Sequence, residues 1–101
     1  MDDDKRKSPR RRVLKEGKIV FADGMRVMDC TIRDMSGDGA RLMIASSVGI
    51  PDTFLLYEKS AELLHPASVV WRQANAIGIQ FDGPATNINE PANKRYARVR
   101  F

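Results

Sequence analysis

The sequence predicts an all-β fold, a small six-stranded antiparallel β-barrel, and three observations favour it. The chain has 101 residues, of which 43% are hydrophobic, which is enough for one core. Its apolar segments are short and alternate with polar residues, and turn residues separate them at intervals typical of all-β domains. A closed barrel is favoured because closure removes exposed strand edges, and a flat two-sheet sandwich is the alternative.

A hairpin opens the predicted fold. Residues 18–22 form its first strand, and Asp23-Gly24 is a two-residue turn signal because both residue types tolerate positive φ. The returning strand spans residues 25–33, where period two places Met28, Cys30 and Ile32 on one face. Cys30 is therefore predicted to be a core residue.

Four more strands follow a turn at residues 34–39. Each combines apolar alternation or β-branched residues with flanking turn residues, and Pro66 is expected to interrupt the longest because proline lacks a ladder donor. The predicted strands span residues 40–44, 53–57, 62–72 and 76–81. The barrel domain is predicted over residues 18–82, between a basic arm at 1–17 and a loose tail at 83–101.

Positive charge is concentrated at the two ends of the chain. Residues 5–18 hold eight basic side chains and one acidic one, and residues 94–100 hold four basic ones. Such ends attract an anion, whether phosphate, nucleic acid or an acidic protein surface. Mutual repulsion and Pro9 predict that residues 1–17 are disordered without a ligand and become ordered around one.

The composition argues against several classes of protein. A single cysteine, Cys30, and a single histidine, His65, provide neither a disulfide nor a metal site. No run of about 18 apolar residues and no signal peptide is present, which predicts a cytoplasmic protein without membrane insertion. His65 has no partner suited to nucleophilic catalysis, so no enzyme activity and no cofactor are expected.

Two motifs could bind an anionic ligand. Arg6 and Arg10 form Arg-x-x-x-Arg, and Asp34, Ser36 and Gly39 form Asp-x-Ser-x-x-Gly. Arginine supplies bidentate donors for phosphate, and a carboxylate accepts hydrogen bonds from N–H groups. The purely conformational interpretation is a turn-capping carboxylate, a hydroxyl bonded to the local backbone and a glycine with positive φ. Lys7 with Arg11 is the alternative register of the first motif, and it makes Arg11 a further candidate.

Together the two motifs resemble those of the PilZ domain family, bacterial receptor modules for the second messenger cyclic di-GMP. Residues 69–72 and 77–82 also look like the final hairpin of that family, so the resemblance spans residues 5–82. It implies a β-barrel that binds cyclic di-GMP through Arg6, Arg10, Asp34, Ser36 and Gly39. It also implies a signalling receptor that acts through an unidentified effector protein.

Two other functions remain open. The first is a PilZ-like protein-interaction module without ligand binding. The second is a small nucleic-acid-binding barrel that uses both basic ends. The second is disfavoured because the seven aromatic residues are scattered and form no stacking platform.

Overall fold

The computed structural model describes residues 11–24 and 26–100. Alternating apolar residues form seven strands, of which the last is very short. The strands are β1 (Arg11–Val20), β2 (Val27–Met35), β3 (Gly39–Met43), β4 (Thr53–Glu58), β5 (Leu63–Gln73), β6 (Ala76–Phe81) and β7 (Thr86–Asn87).

The first six strands close into a barrel. Antiparallel pairing runs in the order β4-β1-β2-β3-β6-β5, and β4 also pairs with β5. This closure confirms the predicted six-stranded antiparallel β-barrel and excludes the flat sandwich. β7 lies outside the barrel and pairs with the start of β5.

Inward-facing aliphatic residues fill the barrel. Ile19, Ile32, Leu42, Leu56 and Ile77 are completely buried, and they come from β1, β2, β3, β4 and β6. Cys30 belongs to the same core, as predicted, and burial raises the pKa of its thiol to about 12. The thiol is therefore protonated at physiological pH.

The first strand begins earlier than the sequence predicted. Residues 11–17 belong to β1, whereas they were expected to lie in a flexible arm, so the barrel includes them. Val13 packs against the core, and the Lys15 ammonium lies 2.7 Å from the Glu58 carboxylate, which anchors this basic stretch. The predicted hairpin turn is present, with Phe21 N–H donating to the Arg26 carbonyl at 2.9 Å.

The chain end is also more ordered than predicted. Residues 83–101 were expected to form a loose tail, but they include β7 and a 3₁₀ segment, Pro91–Arg100, which kinks at Asn93. Ile88 and Val99 pack with Val20, Tyr57 and Leu64 in a second apolar cluster on the outside of the barrel. This segment therefore covers outward-facing apolar residues of β1, β4 and β5.

Pro66 does not interrupt β5, contrary to expectation. Its carbonyl accepts a hydrogen bond from the Asp82 N–H at 2.8 Å, on the side away from β4. In an antiparallel ladder the N–H and C=O of one residue point to the same side, so the missing N–H removes no bond to β4. No helix in the described part of the chain has the length and hydropathy to cross a membrane.

Candidate functional site

The carboxylate of the second motif lies on the outer surface of the barrel. An irregularity between Ile32 and Asp34 shifts the pairing of β2 with β3. Ile32 faces the core opposite Leu42, whereas Asp34 lies opposite the outward-facing Arg41. Bulges of this kind re-aim a side chain from one face to the other. The bulge therefore places Asp34 outside although it is two residues from a core position.

Asp34 and Arg41 form an ion pair across the two strands. The Asp34 Oδ2 atom lies 3.0 Å from Arg41 Nε, and the two side chains are 17% and 41% exposed. The Nε–H group does not point along this contact, and Arg41 Nε is buried without a hydrogen-bond partner among the described residues. The pair thus keeps Arg41 beside Asp34, and the Arg41 side chain remains partly exposed.

The strand register extends this pair into a row by three more positions. Arg12 of β1 lies opposite Asp34, Gly78 of β6 lies opposite Arg41, and Trp71 of β5 lies opposite Gly78. We call Arg12, Asp34, Arg41, Gly78 and Trp71 the outer row. It places a cation, a carboxylate, a second cation and an aromatic ring side by side on the outside of the barrel, along neighbouring strands from β1 to β5.

Trp71 is fixed against the backbone of its neighbouring strand. A β-carbon at Gly78 would collide with the indole ring, so the absence of a side chain at Gly78 lets the ring lie flat on β6. The indole remains 39% exposed. A second irregularity, between Val69 and Trp71, turns Trp71 outward while Val69 packs against the core. The result is an open aromatic surface at one end of the outer row.

Ser36 stabilises the turn that follows Asp34. Its hydroxyl accepts a hydrogen bond from Asp38 N–H at 3.1 Å, and its own N–H donates to the Gly39 carbonyl at 2.9 Å. Phe81 N–H donates to the Asp38 carbonyl at 2.8 Å, which fastens the turn to β6. Ser36 therefore has the local backbone role that the conformational interpretation described, and its half-buried position lies two residues after Asp34.

A glycine is needed at position 39 for a reason other than the predicted positive φ. Gly39 does not adopt a positive φ, and it lies within β3 opposite Gln80. A β-carbon at Gly39 would collide with the Ile79 carbonyl oxygen of β6. A glycine is therefore needed here for the close approach of two strands, and this approach positions the Ser36 turn beside β6.

The arginines of the first motif are only partly within the described structure. Arg6 and Arg10 lie outside the described residues, and of Arg11 only the backbone is described, in β1 opposite Met35. Arg12, which fitted no register of the motif, is the arginine that the strand pairing brings opposite Asp34.

Arg41 and Trp71 were missed by the motif analysis. The alternation of inward and outward residues in β3 could have identified Arg41 as outward-facing, because Ala40 and Leu42 on either side of it face the core. The orientation of Trp71 depends on the β5 irregularity, which has no clear signal in the sequence.

A second polar cluster lies inside one end of the barrel, apart from the outer row. Glu58 is 5% exposed and contacts Lys15 at 2.7 Å and His65 Nε2 at 2.9 Å, while the His65 ring stacks on Phe81. Burial alone would raise the pKa of Glu58, but hydrogen bonds and charge from Lys15 and His65 lower it below its ordinary value of 4.5. This cluster joins β1, β4 and β5, so its role is structural.

Two further features do not coincide with the outer row. A shallow groove of about 250 Å³ is lined by Leu55, Pro66 and Tyr96 among others, and neither Asp34, Ser36 nor Gly39 lines it. Within residues 11–24 and 26–100, no three potential metal ligands lie together.

Comparison with known proteins gave one result. The family model described as PilZ domain matches residues 4–96, which includes both motifs, the whole barrel and most of the C-terminal segment. No curated protein matches the chain.

Proposed function

Since the chain belongs to the PilZ domain family, we propose that it binds cyclic di-GMP on the outer row and acts as a receptor or adaptor without enzymatic activity. The observation that supports this proposal most directly is the order Arg12, Asp34, Arg41 and Trp71 in register along neighbouring strands on the outside of the barrel. A cyclic dinucleotide needs groups of three kinds: cations for its phosphates, a carboxylate for its guanine N–H groups and an aromatic ring for its bases.

Each group in the outer row has a complementary group on the ligand. The Asp34 carboxylate accepts hydrogen bonds from guanine N1–H and N2–H, while Arg12 and Arg41 donate to phosphate oxygens or to guanine O6 and N7. The exposed face of Trp71 stacks on a base, and such stacking contributes roughly 1–3 kcal/mol per base in single-stranded nucleic acid complexes. Asp34 and Trp71 therefore recognise the bases, and the arginines neutralise the phosphates.

The length of the chain allows the first motif to reach the same face. An extended chain covers at most about 3.6 Å per residue, so the Arg10 Cα lies within roughly 7 Å of the Arg12 Cα and the Arg6 Cα within roughly 22 Å. Arg12 is directly opposite Asp34. Arg10 therefore needs no long loop to reach a ligand held by Asp34, and Arg6 has enough chain to close over it.

A receptor of this kind transmits its signal through a partner. Neutralising the basic N-terminal residues with the ligand changes the surface that the barrel presents, and an effector protein that distinguishes the two surfaces completes the pathway. A PilZ module that works by protein contact alone is the second candidate, and it predicts a folded barrel that does not respond to the nucleotide.

The single tryptophan provides the test. Because Trp71 is the only tryptophan in the chain, its fluorescence reports on the outer row alone. Titration with cyclic di-GMP should quench or shift this emission with saturation in the micromolar range or below, and GTP at the same concentration should leave it nearly unchanged. An emission spectrum that stays constant at about 100 μM cyclic di-GMP would support the interaction module instead.

A further inference from the structure

The first half of β1 has a neighbouring strand on one side only. β2 pairs with β1 from Arg11 to Val20, whereas β4 pairs only with Gly17–Val20, because the chain leaves β4 at Glu58 and enters the 3₁₀ turn Lys59–Ala61. Among the described residues, no strand pairs with the β4 side of residues 11–16. In the described part of the chain, β4 therefore closes the barrel along residues 17–20 of β1, and the edge at residues 11–16 has no neighbouring strand.

An open edge of this kind presents unused backbone hydrogen-bonding groups. In an antiparallel pair, about half of the N–H and C=O groups of a strand point away from its partner, and they can pair with another extended chain. Leu14 lies in this stretch and is 76% exposed. The edge therefore combines backbone donors and acceptors with one exposed apolar contact.

The charge of this edge selects its partner. Within residues 11–16, Lys15 is paired with Glu58 at 2.7 Å and Glu16 lies 3.5 Å from the Lys59 ammonium, so Arg11 and Arg12 carry the net positive charge. A second copy of this chain would bring the same positive charges together, which is unfavourable across a strand pair. An extended segment rich in Asp or Glu would instead meet opposite charge.

From these observations we propose that the free edge of β1, residues 11–16, accepts an extended acidic segment of a partner protein as an additional β-strand. This mode of recognition takes affinity from main-chain hydrogen bonds and specificity from alternate side chains. The edge lies on the side of β1 away from β2, whereas Asp34 lies on β2. Strand addition uses the main-chain groups of the β1 edge, whereas ligand binding centres on Asp34; Arg12 is common to both, but the proposal does not depend on the nucleotide.

The test uses the full chain, labelled with ¹⁵N and free of nucleotide, and the capped peptide Thr-Glu-Val-Glu-Val-Glu-Thr as the probe. Two versions of the peptide carry N-methyl groups on alternate residues, one set for each edge of the peptide. Strand addition predicts amide shifts at residues 12–16, peptide-to-β1 backbone contacts in nuclear Overhauser spectra, and binding of only one of the two N-methylated peptides.

A matched pair of variants separates the edge from the rest of the surface. Leu14→Asp adds a negative charge beside the bound strand and should raise the Kd by at least about fivefold. Val48→Asp makes the same change at a loop position that is 84% exposed, and it should leave the Kd unchanged. Both variants should melt close to the wild type because both positions are exposed.

Three results would overturn the proposal. Equal binding of the two N-methylated peptides would show that charge alone attracts the probe, and the absence of shifts at millimolar peptide would show that the edge accepts no strand. A concentration-dependent dimer whose contacts lie at residues 11–16 would show that a second copy, rather than an acidic partner, occupies the edge.

Discussion

Replacing Asp34 by Asn tests whether the Asp34–Arg41 pair serves ligand binding or stability. The contact is 3.0 Å long, but the Arg41 side chain is 41% exposed and screened by solvent. Such pairs contribute about 0.2–1 kcal/mol to folding. For a domain of this size, 1 kcal/mol corresponds to a melting shift of roughly 4–8 °C. Asp34→Asn should therefore lower the Tm by roughly 1–8 °C.

The expected loss of affinity is larger than the loss of stability. A hydrogen bond to a charged group is worth about 1.5–3 kcal/mol, and the Asn amide N–H₂ would also face guanine donors. A loss of about 2 kcal/mol raises the Kd roughly 30-fold. Titration calorimetry with cyclic di-GMP, together with thermal melting of the same samples, measures both quantities.

Asp29→Asn is the matched control for this experiment. Asp29 lies on the same strand and pairs with Lys18 at 3.9 Å, but it is five residues, or roughly 17 Å, from Asp34. The Asp29→Asn variant should bind the ligand with the same Kd as the wild type. The reasoning would be refuted if Asp34→Asn lost several kcal/mol of stability and kept its affinity, or if Asp29→Asn weakened binding equally.

Three other substitutions test separate parts of the account. Arg10→Ala should weaken cyclic di-GMP binding by about 2 kcal/mol in calorimetry without a change in Tm; a larger effect of Arg11→Ala than of Arg6→Ala or Arg10→Ala would move the motif by one residue. Gly39→Ala should destabilise the barrel by about 1–3 kcal/mol in denaturant unfolding, because the new β-carbon meets the Ile79 carbonyl, and an unchanged midpoint would contradict that packing. The pKa of Glu58 is lowered by folding, so its stabilisation is present above its ordinary value of 4.5 and is lost as the pH falls through the folded pKa. Unfolding measured between pH 7 and pH 3 should therefore show a shallower loss for Glu58→Gln than for the wild type; parallel curves would exclude this role.

Local patterns were sufficient to predict the barrel. Every strand of the closed sheet contains residues placed in a strand from period two and turn composition, because inward positions such as Ile32, Leu42 and Ile77 must alternate with outward ones. The two ends were harder to predict because their anchors are long-range. The position of Lys15 depends on its ion pair with Glu58, 43 residues away, and Val99 packs in a cluster that includes Val20. The alternation of apolar and polar residues along a strand carries no information about such long-range contacts.

Site residues that belong to a sequence motif were predicted, and those that join the site only through strand pairing were missed. Asp34 and the Ser36 turn were identified from their spacing, although only the irregularity in β2 explains why Asp34 faces outward. Arg41 and Trp71 join the site through pairing between β2, β3, β6 and β5. Residues that are brought together only by register cannot be assigned to one surface until the strand order is known.

Titration calorimetry of the full chain with cyclic di-GMP tests the central claim most directly. The account predicts saturable heat with a Kd in the micromolar range or below, equivalent to about −8 kcal/mol or better. GTP and single-stranded DNA, which share phosphate and base chemistry with the ligand, should give no comparable binding. The absence of heat at about 100 μM cyclic di-GMP, or equal binding of the DNA, would contradict the assignment of the outer row as a cyclic dinucleotide site.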